Sequence, residues 1–558
     1  MAELRTFSSM RATMPVLFGL VIYACSDNVR QRTAIETGGT LVISTPQDPG
    51  TLFPPFVELS GAKQITEQIY DYLADVGPGF DTRSERDYRP ELADGWRWSR
   101  DSLSLAFHIN PRARWHDGRR VGAGDVRFTF DLNKNPSLGG RYVSSLANID
   151  SVTASDSLTA VFWFHRRSPT QFLDAAAQLL ILPAHLLDKI SLQRLREIDA
   201  PIVGSGRFRI GRREQGANVE IVADIANYRG RARLDRVIWN VTPDPTAAVT
   251  SLKRGDLDLF ENLGPDHLKE LANQPTVRVV TIPTMDYIFL RFNLRDPAHR
   301  AKPHPLFGNR DLRRAITMSI DRKALLRNVL DTFAVVPSGP TVRAYATTDS
   351  TLAQIPFDSA KSGALLDSLG WIRGENGMRS RDGRHLAFNI LVRSSSPNRM
   401  RMAVLLQEKF RQMGIRATVE SMEFQAQLAR EEKGDFDTSL DNLTMPSSPD
   451  ATRDAWTSSG IGKNGVNYGS YSNPRFDVLL DSALMSDPAH ARARFSAAYS
   501  VINDDAPAVW LYEPRKILGV GRRFKMAQIR PDSWWFSLAD WYVDPADRVL
   551  RDRIPVQR

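Results

Sequence analysis

Apolar residues recur along this chain at two periods, and the switches between them mark its elements. Thr40-Leu41-Val42-Ile43-Ser44 is a β-rich run stopped by Thr45-Pro46, and Leu103, Leu105, Phe107 and Ile109 alternate on one face of a second run. Both predict strands at sheet surfaces. Met402, Leu405, Leu406, Phe410 and Met413 fall at helical spacing, Gly414 supplies a stop, and Ile415, Ala417 and Val419 then alternate, so a helix feeds a strand. Residues 311–320 and 321–330 predict two consecutive helices, each opening on an aspartate that caps free backbone amides, with Leu312, Ile316 and Ile320 on one face. Helices and strands interleaved in this way predict a mixed α/β architecture. No fixed-period repeat and no low-complexity segment interrupts the body, which disfavours solenoids and long disordered linkers. The triplets His116-Asp117-Gly118 and Arg381-Asp382-Gly383 place glycine after an aspartate that bonds its own backbone, the chemistry of a hairpin turn. That turn reading outweighs a catalytic role for His116 or Asp117. Asp125, before Val126 and Phe128, reads as a helix cap rather than an acid or base.

One apolar run differs from the rest. Val16 to Ala24 is about ten residues, preceded by Arg5 and Arg11, where a helix crossing a bilayer takes roughly 20. A signal peptide over 1–24, removed on export, is the expectation. The chain's single cysteine follows at once, and Ile22-Tyr23-Ala24-Cys25 resembles a bacterial lipobox, which makes Cys25 the candidate lipid attachment site. The alternative is an incidental cysteine behind an ordinary signal peptide. Residues 25–37 are polar and aperiodic, as a lipid-anchored tether would be, and the ordered chain is expected from Gly38 or Gly39. With one cysteine there is no intramolecular disulfide and no thiolate metal cluster.

Composition narrows the function classes. The 558 residues carry 73 Lys and Arg against 64 Asp and Glu, a formal charge of +9 spread along the whole length. A solvated basic surface explains that better than nucleic-acid binding, which would call for a basic stripe interleaved with stacking aromatics. The length suits two to four domains.

Several short blocks then fall in a telling order: Pro90-Glu91-Leu92-Ala93-Asp94-Gly95-Trp96, Leu105 to Ile109, Trp115-His116-Asp117-Gly118 and Gly124-Asp125-Val126-Arg127-Phe128. Ile181 to Leu187, Gly204-Ser205-Gly206-Arg207-Phe208, Asn227-Tyr228-Arg229-Gly230 and Gly255-Asp256-Leu257-Asp258 follow, then residues 311–322, 365–371 and Tyr471-Ser472-Asn473-Pro474. In this order they resemble the family 5 extracellular solute-binding proteins, the dipeptide, oligopeptide and nickel-binding group.

The resemblance implies an α/β fold of two lobes, a periplasmic-binding-protein-like clamshell with an additional domain inserted in the first lobe. Residues 38–64, 202–288 and 510–558 would form lobe I, 65–201 the inserted domain and 289–509 lobe II. It also implies an extracytoplasmic lipoprotein of an ABC importer, in the periplasm or on the outer face of the cell membrane. Its partners would be a peptide or other small polar solute and the importer's permease and ATPase subunits. A monomer without cofactor or bound metal is expected. In peptide binders of the group, a segment after a Gly-Asp-Phe-Asp-like strand offers an aspartate to the peptide's amine. Here that segment runs from Gly434-Asp435-Phe436-Asp437 through Asp441, Asn442, Leu443, Thr444 and Met445, with Pro446 in the aspartate's place. Asp441 and Asp450 are the candidates to take over, a strand-surface charge and a helix cap being their alternative readings. A solute without a free amine is then nearly as plausible as an ordinary peptide.

Phe53, Trp456 and Tyr468 complete the candidate ligand-binding set, as rings available for stacking. Core packing is favoured for Trp510 and Tyr512, whereas the two readings stand even for Trp456 and Tyr468. Two other classes compete. A binding or sensing protein uncoupled from transport would have the same sequence. An exported hydrolase is less favoured: Ser60-Gly61-Ala62-Lys63 matches a short Ser-x-x-Lys pattern, but no Lys-Thr-Gly, His-Glu-x-x-His or Gly-x-Ser-x-Gly accompanies it.

Overall fold

The computed structural model describes residues 37–139, 142–143, 145–197, 202–330, 333–462 and 465–555; the leader 1–24, Cys25 and most of the tether lie outside the described residues. The run at residue 40 forms the strand Thr40–Thr45, with all six residues buried. It sits inside a sheet, not at a surface, with parallel neighbours Arg236–Val241 on one side and Leu259–Phe260 on the other. An unbroken apolar run is what a strand covered on both faces requires. The second run forms Ser104–Ile109, with Leu105, Phe107 and Ile109 inward as their alternation predicts.

The large sheet holds twelve strands among the described residues. Its first half runs Phe208–Glu214, Asn218–Ala223, Arg236–Val241, Thr40–Thr45 and Leu259–Phe260, and its second half Thr438–Thr444, Ala387–Arg393 and Arg416–Met422. Two chain segments join the halves. The strand Ala508–Gly521, 14 residues and therefore about 45 Å long, pairs through Ala508–Tyr512 with Asp286–Phe292 and through Arg515–Gly521 with Val277–Pro283. The pairing changes at Pro514, which has no N–H to donate to a ladder. Each half is therefore built around one end of the same antiparallel ribbon.

A separate antiparallel sheet, Ala93–Trp98, Ser104–Ile109, Thr159–Phe164 and Ile149–Ala154, packs under the helix Ala123–Lys134. Asp125 serves this helix from its third residue rather than as the N-cap: its carboxylate accepts from Gly122 N at 2.9 Å and from Ala184 N at 2.9 Å. Similarly, the helix Arg310–Met318 is capped by Asn309, whose side chain accepts from Leu312 N, with Asp311 inside the first turn. Asp321 does cap Arg322–Val329. The helix Pro397–Gln412 buries Met402, Leu406 and Phe410 and ends before Gly414, which takes φ 77° ahead of the strand Arg416–Met422. Asp382 and Gly383, at φ 53° and 75°, turn the hairpin Arg379–Arg381 to Arg384–His385.

Candidate functional site

The helix Ser60–Ile69 follows Pro54-Pro55, whose fixed φ starts a short 3-10 turn. Between this corner of the first half, the end of Ala123–Lys134 and the loop after Thr438–Thr444 lies a partly open chamber of about 150 Å³. Lys63, Glu67 and Asp75 wall it on one side, Asn133, Tyr142 and Gln178 on another, and Ser447, Arg530 and Asp532 close it. Through Tyr142, Leu173, Gln178 and Ser447 it adjoins an open cavity of about 910 Å³ between residues 142–178 and 446–454. Segments 54–75, 133–180, 446–454 and 530–532 meet here.

The chamber's charges hold one another. Lys63 and Glu67, one helical turn apart, approach to 3.7 Å, and Glu67 also accepts from Tyr72 Oη at 3.0 Å and Trp535 Nε1 at 2.6 Å. The Glu67 charge keeps the Lys63 ammonium above its ordinary pKa, so Lys63 is a poor general base for the Ser-x-x-Lys chemistry. Arg530 bonds Asp75 at 2.9 Å and Asp532 at 2.6 Å. Burial disfavours its charge, but those two carboxylates outweigh that cost and hold the guanidinium protonated. In the outer cavity, burial pushes Asp174 up to about 7, with Thr170 Oγ1 donating to it at 2.8 Å and the Asp450 charge adding to the rise. Burial raises Asp450 as well, against the pull of Arg453 and Arg83. Chamber and outer cavity each set two cations against three carboxylates: Lys63 and Arg530 against Glu67, Asp75 and Asp532, then Arg166 and Arg453 against Asp174, Asp450 and Asp454.

The candidate residues from the sequence do not gather there as a set. Phe53 packs into the core against Phe56 at 5.7 Å, and it is the next two residues, Pro54 and Pro55, that line the chamber. Met445 is buried, and Pro446, Ser447 and Ser448 beyond it line the outer cavity. Asp441 is ion-paired with Arg393 at 3.5 Å and Arg399 at 3.3 Å and borders neither space. Asn442 and Thr444 both donate to Asp286 across the strand pair, and Leu443 packs against the core. Trp456 is 1% exposed, its indole donating to Tyr287 Oη at 2.8 Å and its ring edge-on to Trp510 at 4.7 Å. Tyr468 is half-buried with the Arg291 guanidinium 5.1 Å over its ring. Asp450, in contrast, lies in the cavity wall. The sequence reading missed Asn133, Asp174, Arg530 and Asp532. Asn133 carried a signal, since it continues the buried face Val126, Thr129, Phe130 where an apolar residue belongs.

Among the described residues no group of three or more His, Cys, Asp and Glu is arranged to hold a metal, and no helix is long and apolar enough to cross a membrane. The model of the family described as bacterial extracellular solute-binding proteins, family 5 Middle, matches residues 87–464. The chain belongs to the family 5 extracellular solute-binding proteins. Oligopeptide-binding protein AppA of Bacillus subtilis is 24% identical to this family 5 protein over 557 residues, 97% of this chain and 99% of AppA. The structure of that AppA with a nonapeptide superposes with TM-score 0.69 at 23% identity, covering 91% of this chain and 99% of the other. HbpA2 from Haemophilus parasuis gives 0.77 at 21% identity, covering 91% and 100%. NikZ from Campylobacter jejuni in complex with Ni(L-His) gives 0.70 at 22% identity, covering 90% and 99%. The family 5 fold is thus present across the described chain: a two-lobed α/β clamshell joined by the ribbon 277–292 and 508–521.

Proposed function

We propose that this family 5 protein captures a peptide or similar small polar solute outside the cytoplasmic membrane by closing its lobes on it, then passes it to the permease and ATPase of an ABC importer. The observation that carries this reading is that one cleft takes its walls from all parts of the fold. Lobe I is taken as 38–64, 202–288 and 510–558, the insert as 65–201 and lobe II as 289–509, so the wall residues come from each. Only a solute that touches both sides shifts an open–closed equilibrium. Contacts near the cleft fit a closing gate: Thr82 Oγ1 donates to Ser447 O at 2.9 Å, Arg83 Nη2 to Leu484 O at 2.8 Å, and Phe80 stacks on Tyr345 at 6.3 Å. The outer cavity, about 910 Å³, falls within the several hundred to about 1,000 Å³ usual for small-molecule sites. Cys25 would carry the lipid that tethers a monomer to the membrane, with residues 26–37 as spacer.

The test is a thermal-shift screen of the chain from residue 26 with peptides of two to nine residues, N-acetylated peptides, oligosaccharides and nickel–histidine. A solute at 100 times its Kd adds about 2.7 kcal/mol and raises Tm by a few degrees. Reversible stabilisation without turnover is the expected result. Hydrolysis of the stabilising solute would replace this reading with an enzyme.

A further inference from the structure

We propose that the face carrying the last turn of the chain rests on an anionic lipid surface, with Leu550 and Ile554 entering the headgroup layer and Arg254, Arg522 and Arg553 meeting its phosphates. The proposal goes beyond solute capture and uses none of the cleft residues.

Local bonding makes this turn project. In the 3-10 turn Leu550–Arg553 the Asp552 carboxylate is buried, accepting from Thr40 N at 2.7 Å and from Val549 N at 2.8 Å. A 3-10 turn repeats every three residues, so Leu550 and Arg553 share one side, and both are exposed. Leu550, 82% exposed, is the most exposed large apolar side chain among the described residues, and Val549 and Ile554 on either side of the turn are exposed as well. These three border a groove of about 760 Å³ whose charged lining is Arg254, Arg522, Arg523 and Arg551 against Asp258 and Asp547. Asp258 takes up Arg523 at 3.1 Å and Arg551 at 2.5 Å. Arg254, Arg522 and Arg553 stay exposed, with no ion pair among the described residues. Projecting apolar side chains beside uncompensated cations are the make-up of a surface that lies in a membrane interface.

The path of the chain selects a membrane as the occupant. The described body begins at Thr37, whose carbonyl accepts from Arg548 Nη2 at 2.9 Å, and Thr40 is bonded to Asp552, so the chain enters the fold against the segment that bears the turn. From Thr37 back to Cys25, the residue proposed to carry the lipid, is 12 residues, which reach about 40 Å even when fully extended. A folded body of about 520 residues is roughly 60 Å across. A lipid at Cys25 therefore keeps this face within reach of the bilayer and the opposite face beyond it. A fluid headgroup layer also takes a projecting leucine without a preformed pocket, which a protein partner would have to supply. Guanidinium groups match the phosphate oxygens waiting there.

Co-sedimentation with vesicles of the chain from residue 26, which lacks Cys25, tests the face apart from the anchor. At millimolar lipid, partition onto vesicles of equal parts phosphatidylglycerol and phosphatidylethanolamine should exceed that onto phosphatidylcholine about tenfold or more, and it should fall as salt rises. Leu550→Asp should lower the anionic partition about fivefold or more at unchanged Tm, as should Arg254→Ser combined with Arg522→Ser. Val478→Asp makes the same change of charge at an exposed apolar residue of the helix Pro474–Leu484 and should leave partition unaltered. Equal losses in Leu550→Asp and Val478→Asp would reduce the effect to diffuse attraction by the +9 chain and overturn the proposal. Absence of binding at millimolar lipid overturns it too, as does a dimer in sedimentation velocity that Leu550→Asp dissociates, which would make the face a contact between two copies. Solute capture stands under each of these outcomes, because the cleft walls contain none of the substituted residues.

Discussion

A carboxyl group shut away from water keeps its proton, and Asp174 is in that position at the cleft wall. Its folded pKa, about 7, lies above its ordinary value of 3.8, so between those pH values the folded state holds a proton that the unfolded state has released. The contribution to stability is therefore complete below pH 3.8 and is lost as pH rises through 7, by at most roughly 4 kcal/mol. Asp174→Asn should match the parent's Tm at pH 4 and exceed it at pH 8; a constant difference between the two curves would refute the assignment. Trp456 yields a second test at this scale. Trp456→Ala should cost about 3–5 kcal/mol in urea unfolding, because the indole fills the core and bonds Tyr287. Sequence showed that such a ring needs a partner, but the partner lies 169 positions away, beyond the reach of local pattern. For the same reason Phe53 was legible as near the cleft while its direction was not: facing inward or outward there depends on what packs behind it.

Elements were legible where one segment determines them. The alternation of Leu105, Phe107 and Ile109, the Asp382-Gly383 turn and the helix stop at Gly414 all appear in the structure as their local chemistry requires. What escaped are joints between segments. Gly204 is one: an added Cβ would come within 1.9 Å of Ile69 O, because the loop crosses the end of the helix Ser60–Ile69. His116 secures the same joint, accepting from Gly204 N through Nδ1 at 3.2 Å, which leaves Nε2–H to donate to Gly206 O at 2.9 Å. The turn triplet thus ties its own hairpin to the loop 204–206. Gly204→Ala should destabilise by about 1–3 kcal/mol or more through backbone overlap. Gly383→Ala, strained only by its positive φ, should cost about 1 kcal/mol. Urea midpoints distinguish the two, and equal losses would mean that the loop at 204 moves aside freely.

At the scale of the whole molecule, the proposed closure would rest on contacts around the cleft. Arg83, bonded to the carbonyls of Leu484 and Ser486, gives a direct handle. Arg83→Ala should raise the radius of gyration in X-ray scattering and weaken solute binding several-fold, since apparent affinity scales with the closed fraction; unchanged scattering would show that Arg83 does not bias the equilibrium. The fold class could be read from the ordered blocks along the sequence, but the site could not, because its walls are drawn from segments near 54–75, 133–142, 173–180, 446–454 and 530–532. The same discontinuity has a consequence for how the chain is made. Leu259, beside the central strand Thr40–Thr45, pairs with Val520, which leaves the ribosome about 480 residues after Thr40. At about 5–20 residues per second, this half of the large sheet waits roughly 25–100 s for the strand that completes it. Throughout that interval the edge of Leu259–Phe260 that the late strand covers stays open, so this half of the sheet cannot be completed while the chain is still being made.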